Sequence, residues 1–323
     1  MHYYSHCQMK YFKSNYRVIV FFVTVTAFLI IPGGISMALS ASSHSLKVAD
    51  NIIENHKNSS AIASPPSSRS DRFGIKEIYQ TKQGGREWYI NMKNPANDSI
   101  FTIGTGKDDN ITRQSDGSWR IAYQKVRMSV DTPPGTPMWK NVEITGYAKV
   151  NSLFPHNGNS KIGYTDLAWF ARGGRHTQSS PCDGLALIGG IHDDGTVGWK
   201  KEIWFTGGYT DELGQAKVTD SIVGRWIGWK VIMYNINNNS AVKMESYLDD
   251  KNNNHWVKVT DIIDDGGWFA NTPDSIFYSA NCGREKDYII TKPGPDVAFR
   301  SDNLVWDFKN LSVREIQPPI GGT

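Results

Sequence analysis

Two strand-like stretches, residues 164–176 and 200–209, carry the side chains best suited to chemistry on an acidic sugar. Cleavage of a uronic-acid polymer by β-elimination needs a cation that neutralises the carboxylate. It also needs a base that removes the neighbouring carbon-bound proton and an acid that protonates the leaving oxygen. The two stretches supply residue types for all three roles: Arg172, Arg175, His176, Lys200, Glu202, Trp204 and Tyr209.

In the first stretch, Arg172 and Arg175 flank two glycines. Glycines permit a turn or bulge, which would bring both guanidinium groups to a sheet edge together with His176. Because the planar donor fork of arginine matches a carboxylate, either arginine would bind the sugar acid and His176 would be the base. A loop with exposed arginines and a surface histidine explains the same residues without a function.

In the second stretch, alternation along a strand places Lys200, Glu202 and Trp204 on the open face. Trp204 would stack on a sugar ring, and Lys200 and Glu202 would bind hydroxyl or carboxylate groups. A solvated cross-strand ion pair is the simpler alternative. The opposite, core-facing side would hold Lys201, Ile203 and Phe205.

Tyr209 follows two glycines and is the candidate acid, or the base if His176 only binds. Tyr278 is the second choice for this role. An ordinary tyrosine titrates near pH 10, so a tyrosine base at neutral pH needs a cationic neighbour. For each tyrosine, packing in the core or at the rim is the alternative.

The composition is that of a globular protein: 323 residues, 21% of them charged, 39% hydrophobic, with a formal net charge of +3. So small a net charge gives no reason to expect a nucleic-acid partner. The 30 glycines, 11 tryptophans and 14 tyrosines favour an all-β protein with many turns and an aromatic-lined groove. Burial of the aromatic residues in the core explains most of them equally well.

The N-terminal 41 residues combine basic residues, an apolar run over residues 18–31 and small residues at the exit. This pattern predicts a signal peptide or, if it is not cleaved, a membrane anchor that would be the chain's only membrane contact. Residues 42–72 are rich in Ser, Asn, Ala and Pro and predict a disordered linker. The remaining residues, 73–323, form the predicted β domain, secreted or held at the cell surface.

Within this domain, short alternating runs are separated by Gly, Pro, Asn and Asp. Residues 142–150 alternate cleanly, and residues 226–249 predict a hairpin that turns at Asn237–Asn239. Residues 275–280 and 303–313 predict late strands. The pattern therefore predicts two packed antiparallel sheets, a β-sandwich of the jelly-roll type.

Residues 224–235 and 242–249, with Trp256 and residues 265–268, resemble the back half of a concanavalin A-like jelly roll. The resemblance covers about residues 73–316. The Arg-Gly-Gly-Arg-His and Lys-Lys-Glu segments are more similar to the polysaccharide-lyase branch, of the glucuronan-lyase type. The chain has no Glu-x-Asp-x-x-Glu strand like that of the related glucanases. The resemblance implies a secreted lyase that acts on an acidic, uronic-acid-containing polysaccharide, and we expect it to be a monomer.

Two further expectations concern a metal and a disulfide. Asp302 lies where many jelly rolls of this superfamily hold a structural calcium ion, so the resemblance implies that Asp302 is a ligand. Cys7 precedes the apolar segment, which leaves Cys182 and Cys282 as a possible disulfide pair in an exported domain. No Cys/His cluster in the sequence suggests zinc.

Two other functions remain open at this stage. One is a non-catalytic carbohydrate-binding domain, in which Trp204 matters and His176 and Tyr209 do not. The other is a cell-surface adhesion domain tethered through residues 42–72, which would bind no glycan.

Overall fold

The computed structural model describes residues 69–104, 111–155, 165–174, 179–206, 208–269 and 282–319. All of them belong to one unit, Ala61–Thr323. Several sequence predictions fall outside the described residues: the signal segment, most of the linker, the strand at 275–280, and the roles of Arg175, His176 and Tyr278.

Sixteen strands and three short 3-10 turns form the described structure, and these residues contain no α-helix. In chain order the strands are β1 (Glu87–Tyr89), β2 (Phe101–Gly104), β3 (Ile111–Arg113), β4 (Trp119–Ala122), β5 (Lys125–Asp131), β6 (Val142–Leu153), β7 (Asp166–Gly173), β8 (Leu185–His192), β9 (Thr196–Ile203), β10 (Gly208–Tyr209), β11 (Leu213–Lys217), β12 (Trp226–Ile236), β13 (Ala241–Asp249), β14 (Val257–Asp264), β15 (Asp296–Asp302) and β16 (Leu304–Glu315).

The strands form two antiparallel sheets. The first has the order β14-β13-β12-β6-β16-β4-β3, with β1 also paired to β16. The second has the order β10-β9-β8-β7-β15-β5-β2, with β11 also paired to β9. The all-β antiparallel sandwich predicted from the sequence is therefore confirmed.

Large aromatic side chains fill the core. Four tryptophans, two in each sheet, are fully buried there: Trp169, Trp199, Trp229 and Trp306. Burial of this much apolar surface is the main stabilising contribution in a sheet-on-sheet packing. These tryptophans therefore belong to the core and not to a sugar-binding groove.

The hairpin at residues 226–249 is confirmed. β12 pairs with β13 in continuous register from Gly228 with Asp249 to Ile236 with Ala241, and its other edge pairs with β6. The three turn residues, Asn237–Asn239, all have positive φ angles of 50°, 55° and 68°. Asparagine tolerates this left-handed conformation better than most residues, which explains the turn at this point.

Alternation along β6 holds, but its outer face is not solvated. Val142 and Ile144 lie in the core, whereas Glu143 points the other way and is still 0% exposed. The backbone N–H groups of Ile78 and Tyr79 donate to Glu143 Oε2 at 3.2 and 3.3 Å. The segment before β1 thus covers this part of the first sheet.

Cys182 and Cys282 form the disulfide that was considered possible, with their Cα atoms 5.5 Å apart. Disulfides persist in oxidising compartments, so this bond indicates a secreted or lumenal location. Within the part of the chain that the structure describes, no helix has the length and hydrophobicity of a membrane span.

Candidate functional site

A cavity of about 220 Å³ opens on the outer face of the second sheet, the face turned away from the core. Strands β7, β8, β9 and β15 supply most of its lining, and the segment from Tyr209 to Glu212 closes one side. The lining residues are Asp166, Ala168, Ile188, Gly190, Gly198, Lys200, Tyr209, Thr210, Asp211, Glu212, Arg300 and Asp302.

Small residues on adjacent strands give the cavity its depth. Ala168 on β7, Gly190 on β8 and Gly198 on β9 lie in one cross-strand row. A Cβ atom added to Gly198 would lie 3.0 Å from Glu212 Cδ, so the glycine lets the Glu212 side chain lie across the strand. The missing side-chain volume leaves a depression bordered by charged residues.

The neighbouring row contains two carboxylates side by side. Asp302 on β15 is directly opposite Asp166 on β7, and Asp166 is directly opposite His192 on β8. Asp166 and Asp302 are only 4% and 7% exposed. The Oδ1 atom of each is buried and has no hydrogen-bond partner among the described residues.

Each cation in the cavity lining contacts a carboxylate or a phenol. Arg300 Nε lies 2.7 Å from Asp302 Oδ2, and Arg300 Nη1 donates to the Tyr209 hydroxyl at 3.1 Å. Lys200 Nζ lies 3.4 Å from Glu212 Oε1. The same carboxylate oxygen lies 3.2 Å from His192 Nε2.

These contacts change the acidity of the site in opposite directions. Burial, reinforced by the charge of Asp302 and opposed by Lys200, raises the pKa of Asp166 to about 6. Burial alone would raise the pKa of Glu212, but the His192 hydrogen bond and the charge of Lys200 lower it to about 2. Two carboxylates on one face therefore differ strongly in acidity, which is common at functional sites.

Tyr209 keeps its proton at neutral pH. Burial and the charge of Glu202 raise the pKa of its phenol, although Arg300 acts in the opposite direction. The cationic neighbour expected from the sequence is therefore present, but it does not make Tyr209 a base. Its hydroxyl is suited to donating a proton or a hydrogen bond.

Comparison with solved structures finds proteins with lectin-like folds. The VIP36 exoplasmic/lumenal domain, in a Ca²⁺/Man3GlcNAc-bound form, matches with 12% identity and a TM-score of 0.38, covering 68% of this chain and 85% of that one. Basic winged bean lectin with Tn-antigen matches with 9% identity and a TM-score of 0.43, covering 71% and 97%. A Bacillus subtilis protein of unknown function with a galectin-like fold matches with 9% identity and a TM-score of 0.42, covering 75% and 100%.

At this level of similarity only the type of fold is in common. No protein-family model matches the sequence, and comparison with curated protein sequences finds no match. The polysaccharide-lyase branch named from the sequence therefore stays a prediction.

The structure brings four of the predicted site residues together. Lys200, Tyr209 and Asp302 line the cavity, and Glu202 is paired with Tyr209 across β9 and β10. Sequence reasoning missed four others at this site, of which only Asp166 lies within a stretch that it singled out: Asp166, His192, Glu212 and Arg300.

Arg172 lies elsewhere, inside the protein. Its φ of 59° accompanies a register shift between β7 and β15, and the side chain is 2% exposed. Its Nε donates to Lys140 O at 3.0 Å and its Nη1 donates to Ile290 O at 2.6 Å. The bulge that the glycines suggested is present, but Arg172 uses it to hold loops together and is not at the outer-face cavity.

Trp204 is also placed differently from the prediction. β9 ends at Ile203, and Trp204 begins a 3-10 turn whose first N–H donates to Gly184 O at 2.9 Å. Alternation therefore does not extend to Trp204, which is not among the lining residues. Lys201 faces the first sheet as predicted, because its Nζ contacts Asp264 on β14. Glu202, predicted on the open face, is only 4% exposed, so burial does not separate the two sides at the end of β9.

No calcium site is seen around Asp302 among the described residues, so its role as a ligand stays a prediction. Calcium takes six to eight oxygen ligands. Among the described residues, no group of three or more His, Cys, Asp and Glu side chains could hold a metal ion. One oxygen of Asp302 is engaged by Arg300 at 2.7 Å, so its charge is already compensated.

Proposed function

We propose that this protein is a carbohydrate-binding domain and that the cavity on the second sheet holds one sugar unit. The observation that carries the proposal is that Asp166 and Asp302 both line the cavity and that each has a buried Oδ1 atom without a donor among the described residues. A buried acceptor without a donor costs about 1–3 kcal/mol. Sugar hydroxyl groups are donors of the kind that these acceptors require.

The cavity also offers apolar surface for the C–H faces of a sugar ring. A separate apolar cluster lies on the outer face of the second sheet, and two of its members line the cavity. Tyr209 also lines the cavity, and the residue is 39% exposed. A mostly apolar floor with a few convergent polar groups is typical of small-ligand sites. The cluster consists of Ala168, Phe170, Ala186, Ile188 and Ala298.

Gly190 provides a test that does not touch the charged groups. A Cβ at this position would meet its nearest atoms at 3.8 Å, which is ordinary van der Waals contact. We therefore expect Gly190→Ala to fold and bind, and Gly190→Leu to fold but fill the cavity. Titration calorimetry against neutral, amino and uronic oligosaccharides should show binding that Gly190→Leu weakens at least about tenfold, or 1.4 kcal/mol. Absence of binding to every glycan, or binding that Gly190→Leu leaves intact, would contradict the proposal.

A second candidate, β-elimination on a uronic-acid polymer, is favoured by the contact between Arg300 and the Tyr209 hydroxyl. A base would remove the proton next to the carboxylate, and the electron pair would form a carbon–carbon double bond and expel the glycosidic oxygen. Tyr209 would protonate that oxygen, and Arg300 would pair with the carboxylate. His176 remains the base predicted from the sequence, with Arg175 as a second carboxylate-binding group.

The new double bond absorbs ultraviolet light, so glucuronan and alginate serve as substrates for a spectrophotometric assay. We expect Tyr209→Phe to abolish an absorbance increase while binding persists. If the wild-type protein binds a uronic polymer and no absorbance develops, the protein is a binding domain without this activity.

A further inference from the structure

The charges lining the cavity are unbalanced towards acid. Among the described residues that line it, four are carboxylates and two are cations. Both cations contact carboxylates of the same lining, Arg300 with Asp302 and Lys200 with Glu212. These carboxylates would repel a negatively charged group on a ligand and attract a positively charged one.

The unsatisfied acceptors lie at one place in this lining. Asp166 and Asp302 occupy directly opposed positions on neighbouring strands, and each has a buried Oδ1 atom without a partner in the described structure. Side chains at such positions have Cβ atoms about 4.5–5.5 Å apart. A single small donor group can therefore contact both carboxylates.

We propose that the sugar bound here carries a free amino group, so that its ammonium donates to both carboxylates at once. This inference rests on the carbohydrate-binding function proposed above. An ammonium has three N–H donors and a positive charge, and both properties match two acidic acceptors. A hydroxyl group offers only one donor and no charge. A uronic carboxylate offers no donor and carries a negative charge.

The geometry of the lining limits where the ammonium can lie. Arg300 Nε lies 2.7 Å from Asp302 Oδ2, so Oδ1 is the oxygen of Asp302 that lacks a donor among the described residues. Ala168 and Gly190 lie in the row next to Asp166 and Asp302, so the sugar ring can rest on the floor beside the two carboxylates. The Tyr209 ring lies on the side of the cavity formed by β10.

Three oligosaccharides of one β-1,4-linked type test the inference at neutral pH by titration calorimetry: glucosamine, N-acetylglucosamine and glucuronic acid oligomers. We expect the free amine to bind about tenfold tighter or more than the other two, the range of a charge-assisted hydrogen bond. Asp166→Asn should remove this preference, because the amide keeps the shape but not the charge. Asp131→Asn, the same change on β5 outside the cavity, should preserve it.

Gly190→Leu separates binding in the cavity from general attraction between a polycation and the protein surface, because it leaves every charge in place. We expect this variant to lose the amine ligand. Equal or tighter binding of the acetylated or uronic oligomer to the wild-type protein would overturn the inference while the proposed function stands. Amine binding that survives Gly190→Leu would also overturn it, and binding of no glycan would overturn both.

Discussion

Asp166 on β7 and Asp302 on β15 lie directly opposite each other on neighbouring strands, and the two residues are only 4% and 7% exposed. Like charges at directly opposed positions are destabilising, and burial increases the cost. Arg300 compensates Asp302 at 2.7 Å. Asp166 is the less stabilised of the two carboxylates. Burial and the charge of Asp302 raise the pKa of Asp166 to about 6.

The raised pKa of Asp166 makes stability depend on pH in a defined direction. Because the folded-state pKa of about 6 exceeds the ordinary aspartate pKa of 3.8, the native state binds this proton more tightly than the unfolded state does. The contribution of Asp166 therefore lowers the free energy of unfolding as pH rises from about 4 to about 6, by at most about 3 kcal/mol. Burial is the main cause of the raised pKa; the charge of Asp302 adds to it, and the charges of Lys200, His192 and Arg300 oppose it.

Asp166→Asn should remove this loss. We expect the variant and the wild-type protein to have similar free energies of unfolding near pH 4 and the variant to be more stable by about 1–3 kcal/mol at pH 7. Urea unfolding at several pH values measures the difference, with Asp131→Asn as the control. A variant that is less stable than wild type at pH 7 would show that Asp166 has a structural role.

The sandwich could be predicted from local signals because these signals agree with the tertiary structure. Alternation along β6 and the asparagine turn between β12 and β13 both depend on residues close in sequence. The alternation along β9 correctly placed Lys201 on the side that faces the first sheet, where it contacts Asp264. The same period could not show that Glu143 is covered, since its cover comes from Ile78 and Tyr79.

The site could be predicted only in part because its residues meet through strand order and register. Asp166 and Asp302 are far apart in the chain and become neighbours only because β7 and β15 pair. Arg172 could not be placed from alternation, because its positive φ and the register shift interrupt the strand there. Tyr209 was found because the turn before it was visible as two glycines.

Lys201 and Asp264 form a buried ion pair between the two sheets. Lys201 Nζ on β9 lies 3.1 and 3.0 Å from the two carboxylate oxygens of Asp264 on β14, and both side chains are 0% exposed. Lys201→Met would leave a buried carboxylate without its cation. We expect a loss of about 3–5 kcal/mol in the free energy of unfolding, measured in urea.

The matched control for this pair is the double variant Lys201→Met with Asp264→Leu. Because it removes both charges and replaces them with apolar side chains, we expect it to recover most of the lost stability. A double variant as unstable as the single one would mean that packing, and not the unpaired charge, causes the loss.

The Cys182–Cys282 disulfide spans a sequence separation of 100 residues. In the chain-entropy description, a link across a loop of this length stabilises the folded state by about 4–5 kcal/mol through restriction of the unfolded chain. Replacement of both cysteines by serine should lower the thermal midpoint, and reduction of the wild-type protein should lower it equally. A reducing agent that leaves the midpoint unchanged would contradict the prediction, with the double-serine protein serving as the insensitive control.

The last prediction separates binding from turnover at Tyr209. The residue is 39% exposed and its hydroxyl accepts a hydrogen bond from Arg300 at 3.1 Å. If the site only binds sugar, Tyr209→Phe keeps the ring and should weaken binding by no more than about tenfold, whereas Tyr209→Ala should weaken it further. If the site cleaves uronic polymers, Tyr209→Phe should abolish the absorbance increase without a matching loss of affinity, because the proton donor is removed and the ring remains. Calorimetry and the absorbance assay on the same two variants distinguish these results. Equal affinities for wild type, Tyr209→Phe and Tyr209→Ala would show that Tyr209 does not contact the sugar.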